Sequence, residues 1–427
     1  MLIEFSVENF RSIRDEQIFS MDALGSKFLL ENNIGEIELA GGKKTRLLKS
    51  AVVYGANASG KSNFMQAFHN FCYVVTQSGS FKVGKGISCY EPFLLDRYSY
   101  SKPTRFKMTF IGKNLIKYVY EIAYNGTEIV AEKLDFYPNG KVANLFKRGD
   151  SSTDAPIVSD HFHSVVLGNA LNDKKFINAE ILSNQLFLSK FGENAHKQLT
   201  EVYEYLSNIK VGNVLDSLSI KQLQEYVIRE VDKPENHHLL VRLNSLIRIA
   251  DTKIESVSIK QVQDKLKLFA QHAIYEDGIL VDDRAFEMAQ ESVGTQVLFT
   301  LGFTILKVLD EGGLFIFDEL DSSLHPQLSR FLVQLFHSPL TNSKNGQIIF
   351  STHEVLLLDK NTFRKDQIWF TEKDKTGATE LFSASDFDGV RDDMPFDKWY
   401  LAGKFGGIPH IAESKFIMDY KFELRND

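Results

Sequence analysis

The sequence predicts an α/β protein with a central mixed β-sheet flanked by helices, an antiparallel β-subdomain and a compact helical insertion. Three observations lead to this prediction. An apolar strand runs through a glycine-rich loop into a helix near Ser62, residues 105–147 alternate between apolar and polar side chains, and residues 161–256 change to a helical period. We expect boundaries at 1–160, 161–256 and 257–427, so that the insertion divides the α/β unit into two halves.

Local patterns support each element. The alternating residues 2–10 predict a half-buried strand, whereas the uniformly apolar Ala51–Tyr54 predicts a strand buried on both faces. The Asn-Gly pairs at 125–126 and 139–140 and the Asp-Gly pair at 277–278 predict hairpins, because both residues of such a turn need positive φ. Apolar residues recur at helical spacing in the insertion, at Leu199, Val202 and Leu206, at Ile220, Leu223, Val227 and Val231, and at Leu239, Leu240, Leu243, Leu246 and Ile247.

Composition limits the class of protein. The 427 residues are 43% hydrophobic and 25% charged, which is typical of a globular chain, and the net charge of -7 argues against a surface built throughout for nucleic acid. The two cysteines, Cys72 and Cys89, have neither metal-site nor disulfide spacing, and no signal peptide is visible. The apolar run 297–309 is too short to span a bilayer and contains Lys307. We therefore expect a soluble, cytoplasmic protein without a membrane partner.

Residues 55–62, GANASGKS, match the phosphate-binding pattern G-x-x-x-x-G-K-[ST] between a predicted buried strand and a helix. Its glycines let backbone N–H groups turn toward a phosphate, and the helix N-terminus adds a favourable dipole. Lys61 would contact the β- and γ-phosphates of a nucleotide, and the Ser62 hydroxyl would bind Mg²⁺. A chance glycine-rich turn is the alternative, but the flanking strand and helix favour a nucleotide site. The residues expected at the phosphates are Gly55, Asn57, Ser59, Gly60, Lys61, Ser62 and Asn63.

Two further buried strands end on polar residues. Leu314–Phe317 leads to Asp318 and Glu319, at the kind of strand end where α/β proteins place their chemistry. Asp318 would hold the Mg²⁺ shell, and Glu319 would orient or deprotonate the attacking water. His353 follows the predicted strand 348–350 and would sense the γ-phosphate. Solvated acids and a structural histidine are the alternatives, and the presence of a phosphate loop weighs against both.

In their order along the chain, these motifs resemble the ATP-binding-cassette (ABC) head of the structural-maintenance, double-strand-break-repair and RecF-like ATPases. ESVGTQ at 291–296 resembles a shortened ABC signature, in which Ser292 and Gly294 match the Ser and Gly of the family's motif. Asp321 in ELDSSLHP matches the Asp of the family's D-loop. The resemblance implies an ABC-type P-loop ATPase head.

A closer resemblance is to the AAA15 group of prokaryotic ATPases, the abortive-infection type related to RloA and AbiLi. The segments that carry it are LIEFSVENFRSI at the start, EPFLLD after the phosphate loop, and RKDQIWFTEKDKTGATEL (364–381) and WYLAGKFGGIP in the C-terminal part. The sequence departs from the pattern at two points. Gln66 and Gln77 are both candidates for the glutamine of the Q-loop, and Gln296 stands where many relatives carry a basic residue.

The resemblance implies that one chain supplies only half of each active site. In such heads the signature of one copy caps the ATP that the other copy's phosphate loop holds, so Ser292 and Gly294 would face a γ-phosphate bound by a second chain. We therefore expect a homodimer that forms through two shared ATP molecules with Mg²⁺. Loss of the γ-phosphate would loosen the pair, so that hydrolysis would act as a switch.

We expect this switch to control a separate effector protein, encoded nearby, in antiphage defence. The alternatives are a RecF-like ATPase that binds DNA in repair or recombination and the nucleotide-binding subunit of a transporter, with which the start of the sequence fits poorly. Some basic residues would either contact nucleic acid or be solvated loop charges, namely Lys43, Lys44, Arg46, Arg364 and Lys365.

Overall fold

The computed structural model describes residues 1–149, 161–213, 217–250, 254–263, 265–408 and 413–423. Its strands are β1 (Leu2–Glu8), β2 (Gln17–Ser20), β3 (Ile34–Glu38), β4 (Lys44–Leu48), β5 (Ser50–Gly55), β6 (Thr104–Ile111), β7 (Lys117–Tyr124), β8 (Ile129–Tyr137), β9 (Ala143–Gly149), β10 (Phe162–Ser164), β11 (Val166–Leu167), β12 (Glu180–Leu182), β13 (Lys210–Asn213), β14 (Ile254–Val262), β15 (Lys265–Glu276), β16 (Ile279–Glu287), β17 (Leu314–Asp318), β18 (Gln347–Ser351), β19 (Ile368–Lys373) and β20 (Thr379–Ser383). Its α-helices are α1 (Leu30–Asn33), α2 (Lys61–Gln77), α3 (Lys197–Ser207), α4 (Ser217–Val231), α5 (His237–Ala250), α6 (Val293–Glu311), α7 (Pro326–His337), α8 (Phe396–Leu401) and α9 (Glu413–Glu423).

A mixed six-stranded sheet carries the glycine-rich loop. Its order is β13-β17-β18-β5-β19-β20, and every neighbouring pair is parallel except β19 with β20. Strands β5, β17 and β18 are buried along their whole length, as their apolar sequences predict. Because parallel strands end at the same edge of a sheet, Gly55, Asp318 and Ser351 come together from segments that are far apart in the chain.

A seven-stranded antiparallel sheet forms the β-subdomain, in the order β11-β9-β8-β7-β6-β1-β2. Strands β6 to β9 are the predicted meander, and the Asn-Gly pairs at 125–126 and 139–140 lie in its last two connections. The first strand, β1, pairs with β2 and β6, and its Phe5 ring stacks on Phe68 of α2 with the ring centroids 3.9 Å apart. The subdomain therefore packs on the helix that follows the glycine-rich loop.

The segment 161–256, expected to be helical, contains strands as well as helices. Helices α3, α4 and α5 account for the helical spacing, although Ile220 lies outside the residues whose side chains are described. Strand β11 extends the antiparallel sheet, and β13 pairs in parallel with β17 in the mixed sheet. These strands are only two and four residues long, which is too short for a periodic pattern to reveal them. The division of the chain into three parts stays a prediction.

A three-stranded antiparallel sheet, in the order β14-β15-β16, precedes α6. The predicted hairpin at 277–278 is confirmed, with β15 and β16 on either side of it. Strand β14 pairs with β15 and starts at Ile254, inside the range expected to be helical. Val257 and Leu268 of this sheet pack with Phe299 of α6, so the sheet is attached to the helix that the signature-like segment begins.

Helix α6 is the central helix of the C-terminal half. By length and composition this 19-residue helix could cross a membrane, but 67% of its most apolar 18-residue stretch is buried inside the protein. Its Leu298 and Leu301 pack with Phe315 and Phe317 of β17. Packing against the core sheet on one side and the small sheet on the other accounts for its apolar sequence.

Candidate nucleotide-binding site

The glycine-rich loop joins the end of β5 to the start of α2, and two of its glycines leave no room for a side chain. A Cβ on Gly55 would lie 2.5 Å from the Oγ of Ser59 and 2.5 Å from the Oγ1 of Thr371. Gly60 has a φ of +114°, and a Cβ there would lie 2.1 Å from the Oγ1 of Thr379. The loop therefore needs glycine at both positions, and at the second its backbone conformation also demands it.

Lys61, the first residue of α2, directs its ammonium group back into the loop. Its Nζ donates hydrogen bonds to the carbonyl oxygens of Gly55 at 2.7 Å and Ala56 at 3.1 Å, and the residue is 5% exposed. Burial lowers the pKa of Lys61 to about 8, although the carboxylates of Asp318 and Glu319 act to raise it. The ammonium is thus held at the inner surface of the loop and is mostly protonated at neutral pH.

The loop forms one wall of a cavity of about 350 Å³. Glu319, His353 and Lys373 complete its lining. The predicted nucleotide-binding residues that line the cavity are Asn57, Ser59, Gly60, Lys61, Ser62 and Asn63. The phosphate loop, the proposed catalytic acid and the proposed sensor histidine therefore meet in one space of the size that protein ligand sites usually have.

Side chains from two distant segments hold the loop in place, and motif analysis missed them. The Ser59 Oγ lies 2.6 Å from the Oγ1 of Thr371 at the end of β19, and the Thr379 hydroxyl donates to the Ser59 carbonyl at 3.0 Å. The Ser12 Oγ lies 2.8 Å from the Thr379 Oγ1 and accepts a hydrogen bond from Asn63 at 2.7 Å. In the sequence, the only signal for these residues was indirect. Ser12 lies in LIEFSVENFRSI, and Thr371 and Thr379 lie in residues 364–381, and both segments resemble the AAA15 group.

A loop near the C-terminus also packs on the phosphate loop. A Cβ on Gly407, whose φ is +64°, would lie 3.5 Å from the Gly55 Cα. The Tyr400 hydroxyl donates to the Gly407 carbonyl at 3.1 Å, and the Tyr400 ring stacks on Phe370 of β19 with the centroids 5.7 Å apart. The described part of the segment WYLAGKFGGIP, residues 399–408, thus packs directly against the candidate nucleotide site.

Asp318 ends β17 inside a buried hydrogen-bond network. Its Oδ1 accepts a hydrogen bond from the Ser351 hydroxyl, and its Oδ2 accepts one from the Asn213 amide at 2.9 Å. Asp318 and Ser62 line a smaller cleft beside the nucleotide cavity. Mg²⁺ takes one or two protein oxygens and completes its shell with water and phosphate, so these two side chains fit such an ion. The described residues hold no group of three or more His, Cys, Asp or Glu side chains arranged for a metal, and Mg²⁺ beside a nucleotide does not need one.

Glu319 lies in the left-handed region with a φ of 59°, which is uncommon for a residue with a Cβ. Its backbone N–H donates to the Ser351 Oγ at 2.8 Å, and its carboxylate accepts a hydrogen bond from the Ser322 hydroxyl at 3.0 Å. Ser351 therefore binds both Glu319 and Asp318. Backbone strain of this kind persists where surrounding hydrogen bonds hold it, and here it accompanies a carboxylate that lines the cavity.

His353 is a neutral side chain at neutral pH. Burial lowers the pKa of His353, and the positive charge of Lys61 lowers it further, so the ring can donate one hydrogen bond and accept another. The backbone N–H of His353 lies 3.4 Å from both carboxylate oxygens of Asp321. Within its own chain Asp321 thus contacts the His353 segment, and it is not among the residues that line the cavity.

The signature-like segment caps α6 and lies outside the cavity of its own chain. The Ser292 Oγ accepts a hydrogen bond from the Thr295 N–H at 3.2 Å, as expected for an N-cap. A Cβ on Gly294 would lie 2.9 Å from the Ser323 carbonyl oxygen, so this close approach already requires a glycine. Val293 is 64% exposed, and neither Ser292 nor Gly294 is among the described residues that line the cavity.

The two candidate Q-loop glutamines lie in different places. Gln66 lines the smaller cleft with Asp318, whereas Gln77 ends α2, about 24 Å along the helix from its first residue. Only Gln66 of the two is near the site. Motif analysis missed Asn213, whose amide binds Asp318 from the end of the short strand β13. The side chain of Gln296 donates to a backbone carbonyl of the preceding turn at 2.9 Å.

One of the basic residues considered for nucleic acid is fully buried. Arg364 pairs with Asp366 at 2.8 Å and also donates to backbone carbonyls, so it is neither a nucleic-acid contact nor a solvated loop charge. Lys365 donates to a backbone carbonyl at 2.8 Å, and Arg46 is ion-paired across the β3–β4 hairpin. Lys43 and Lys44 are exposed, but Lys44 is the first residue of β4 and so lies in a strand, not in a loop.

A family model described as "AAA domain, putative AbiEii toxin, Type IV TA system" matches residues 50–359. The chain belongs to this family, AAA_21. The part matched to AAA_21 runs from β5 past His353 and so includes the phosphate loop, the signature-like segment and the acidic strand end. With its mixed sheet, helices and antiparallel β-subdomain, this AAA_21 member has the fold of an ABC-type P-loop ATPase head. The finer assignment to the AAA15 group stays a prediction.

Several solved ATPase heads are similar to this AAA_21 member. An SmcHead bound to the C-winged helix domain of ScpA is 11% identical with a TM-score of 0.45, and the match covers 90% of this chain and 97% of that one. An Smc head domain from Pyrococcus furiosus bound to the C-terminal domain of ScpA is 14% identical with a TM-score of 0.42, covering 90% and 96%. RecF of the RecFOR pathway is 13% identical with a TM-score of 0.35, covering 90% and 98%. Likenesses this distant say nothing about what this chain binds, and no curated protein matches it.

Proposed function

We propose that the chain is an ATP-hydrolysing switch that dimerises on ATP and controls a separate effector protein in antiphage defence. The observation that carries the proposal is the division of the site. The cavity of one chain brings together Lys61, Glu319 and His353, whereas Ser292 and Gly294 lie outside it at the start of α6, beside an exposed residue. One chain thus has a phosphate-binding half and, elsewhere, a second element suited to phosphate.

The start of α6 has the chemistry to cap a phosphate held by a second copy. Helix N-termini attract anions through their dipole and their free backbone N–H groups. Ser292 contributes a hydroxyl there, and the exposed Val293 shows that this end of the helix is open to solvent, while the Cβ side of Gly294 faces the Ser323 carbonyl of the same chain. In a symmetric pair, two such helix starts would close two cavities at once, so that ATP would bridge the chains.

Within the cavity and the smaller cleft beside it, the residues have separate roles. Lys61 would move its hydrogen bonds from the loop carbonyls to the β- and γ-phosphates. Ser62 and Asp318 would hold Mg²⁺, which would neutralise charge on the phosphates. Glu319 would orient or deprotonate the attacking water, and the neutral His353 would donate a hydrogen bond to the γ-phosphate and lose that partner after hydrolysis.

The role in defence rests on the family. Its description names an AbiEii toxin and a toxin–antitoxin system, and the sequence resembles abortive-infection ATPases along most of the ATPase head. A switch whose two states differ in assembly is suited to controlling another protein, because the partner can bind one state better than the other. We propose that a gene next to that of this chain encodes the partner, and that the binding of ATP and Mg²⁺ to this chain controls the partner's activity.

Mixing two inactive variants tests the divided site. Lys61→Met removes the phosphate-binding half and Ser292→Ala the capping half, so each variant alone should lose hydrolysis. A mixed pair restores one intact site, and equal amounts should recover about a quarter of the wild-type rate. No recovery, although both variants fold and form mixed pairs, would mean that both halves act within one chain.

A trapped dimer tests assembly. Glu319→Gln should bind ATP without hydrolysing it and should elute as a dimer with ATP and Mg²⁺ in size-exclusion chromatography with light scattering. Glu354→Gln, an acid on the same edge that lies outside the cavity lining, is the control and should behave as the wild type. A Glu319→Gln variant that stays monomeric at saturating ATP would refute the dimer.

The defence role is tested in cells with the neighbouring genes present. Phage plating should fall with the wild type and recover with Lys61→Met. If duplex DNA instead stimulates hydrolysis steeply and in a salt-dependent way, and phage plating is unaffected, the repair or recombination alternative replaces the defence role.

A further inference from the structure

One cation that lines the nucleotide cavity has no part in the roles proposed above. Lys373 is the last residue of β19, its side chain is exposed, and it lines the cavity of about 350 Å³ together with the phosphate loop. Among the described residues it has neither a hydrogen bond nor an ion pair. The cavity therefore contains an ammonium group, besides that of Lys61, whose donors are available to a ligand.

The strand sets the direction of the Lys373 side chain. Alternate residues of a strand face the same side of a sheet, so Lys373 shares a face with Thr371. The Thr371 Oγ1 lies 2.6 Å from the Ser59 Oγ, so this is the face that the phosphate loop covers. The partner of Lys373 across the pair with β20 is Thr379, whose hydroxyl donates to the Ser59 carbonyl at 3.0 Å. Lys373 thus extends beside the loop, at the end of the strand.

The carboxylates next to Lys373 in the chain are engaged elsewhere. Glu372 lies against Gly406, where a Cβ would be 2.6 Å from the Glu372 Oε2. The Asp374 carboxylate accepts hydrogen bonds within its own turn, at 2.7 and 2.8 Å, and pairs with Arg14 at 3.4 Å. Neither neighbouring acid therefore neutralises the Lys373 ammonium.

The order of the strands places Lys373 and the groups that act on the γ-phosphate on opposite sides of the loop. Strand β5, which leads into the loop, lies between β18 and β19. Glu319 and His353 follow β17 and β18 on one side, and Lys373 ends β19 on the other. Because neighbouring strands are about 4.8 Å apart, β17 and β19 are separated by roughly 14 Å. A γ-phosphate beside Glu319 and His353 leaves the other phosphates nearer to β19.

We propose that Lys373 is a second phosphate-binding lysine, which holds the α- or β-phosphate of the nucleotide on the side of the loop away from Glu319. The inference rests on the proposed function, because it needs a nucleotide in the cavity. An ammonium offers three N–H donors, and its hydrogen bonds to phosphate oxygens are charge-assisted. Since ADP keeps both of these phosphates, Lys373 contributes to the binding of ADP as much as to that of ATP, and it takes no part in hydrolysis.

Calorimetric titration with ADP and Mg²⁺ tests Lys373 independently of hydrolysis. Lys373→Met removes the charge and should weaken ADP binding about tenfold, whereas Lys373→Arg should retain most of the affinity. ATP, titrated into chains that also carry Glu319→Gln to prevent its hydrolysis, should be weakened by a similar factor. Lys375→Met is the matched control, because Lys375 is an exposed lysine two residues further on and does not line the cavity, and it should bind both nucleotides as the wild type does.

Salt dependence separates a direct contact from a structural role. The affinity of the wild type for ADP should fall more steeply with rising KCl than that of Lys373→Met, because the variant lacks the charge that salt screens. The inference is overturned if Lys373→Met binds ADP as tightly as Lys375→Met, if its salt dependence equals that of the wild type, or if only ATP is weakened. Each of these results would leave the nucleotide site intact, whereas a wild type that binds neither ADP nor ATP would overturn the proposed function as well.

Discussion

Replacing Ser351 with alanine should weaken both stability and catalysis, because one buried hydroxyl serves both acids of the site. Ser351 is fully buried, its Oγ donates to the Asp318 Oδ1, and it accepts a hydrogen bond from the Glu319 N–H at 2.8 Å. The alanine variant leaves that N–H without a partner and removes one of the two hydrogen bonds to the Asp318 carboxylate. The left-handed backbone of Glu319 then loses its anchor.

The magnitude follows from these two losses. A hydrogen bond to an ionised group contributes about 1.5–3 kcal/mol, and an unpaired buried N–H costs about 1–3 kcal/mol. Because the Asn213 amide still binds Asp318, we expect the free energy of unfolding to fall by about 3 kcal/mol in total. A positioned general base contributes about 10²–10⁴-fold to the rate, so a displaced Glu319 should lower kcat at least about tenfold. The KM for ATP should change less, because the loop contacts of Lys61 do not involve Ser351.

Urea unfolding and ATPase kinetics measure the two effects. The chain has two tryptophans, and both Trp369 and Trp399 lie in the C-terminal half, so their fluorescence reports on this part of the protein. Ser329→Ala is the matched control, because Ser329 is also fully buried but makes a single long hydrogen bond of 3.5 Å to the Leu320 carbonyl. The free energy of unfolding of this variant should fall by less than about 1 kcal/mol, and its kcat should equal that of the wild type. Equal unfolding midpoints and equal kcat in the two variants would refute the reasoning.

Three further predictions concern other parts of the structure. Burial holds the pKa of Lys61 at about 8, and a bound phosphate would raise it, so the protonated lysine binds ATP more tightly. The affinity for ATP should therefore be constant below pH 8 and fall by up to about tenfold per pH unit above it. An affinity measured by calorimetry that does not change with pH would contradict this. Gly60→Ala should lower the thermal stability and abolish ATP binding, because the new Cβ would overlap Thr379. Adding Thr379→Ala should restore only part of the stability and of the ATP binding, because the φ of +114° at residue 60 remains unfavourable for alanine. Arg148→Met should lower the free energy of unfolding in urea by about 3–5 kcal/mol, because it leaves the buried Glu132 carboxylate without its counter-charge. Adding Glu132→Gln should recover only part of that loss, because both Glu132 oxygens also accept backbone N–H bonds, from Phe187 and Leu188, and an amide nitrogen cannot accept them.

Part of the site was predictable because its signals are continuous in the chain. The phosphate loop, the acids at the end of β17 and the N-cap of α6 each depend on a few neighbouring residues and on one preceding strand or following helix. The hairpins of the β-subdomain were predictable for a related reason, since their Asn-Gly pairs lie between alternating runs. The connections there are nevertheless four and five residues long, at 125–128 and 138–142, and are not turns of two residues. The short strand β13 gave no such signal, and its Asn213 went unnoticed although it binds the central aspartate.

Burial of charge was the least predictable property. Arg364 lies in a segment that reads as polar loop, yet it is fully buried because Asp366 and several backbone carbonyls take up its donors. A buried guanidinium is stable only when such partners surround it, and most of these come from residues more than three hundred positions away. The identity of a residue does not reveal whether distant partners exist.

The sequence alone predicted the fold class, because strand, glycine-rich loop and helix follow one another directly, and this order is typical of phosphate-binding loops. Of the loop residues that it predicted at a phosphate, those that line the cavity are Asn57 and Ser59–Asn63. Only the tertiary structure decided what holds the loop, namely Ser12, Thr371 and Thr379, and that the start of α6 lies outside its own cavity. Contacts between residues hundreds of positions apart depend on how sheets and helices pack, and no local pattern encodes that packing.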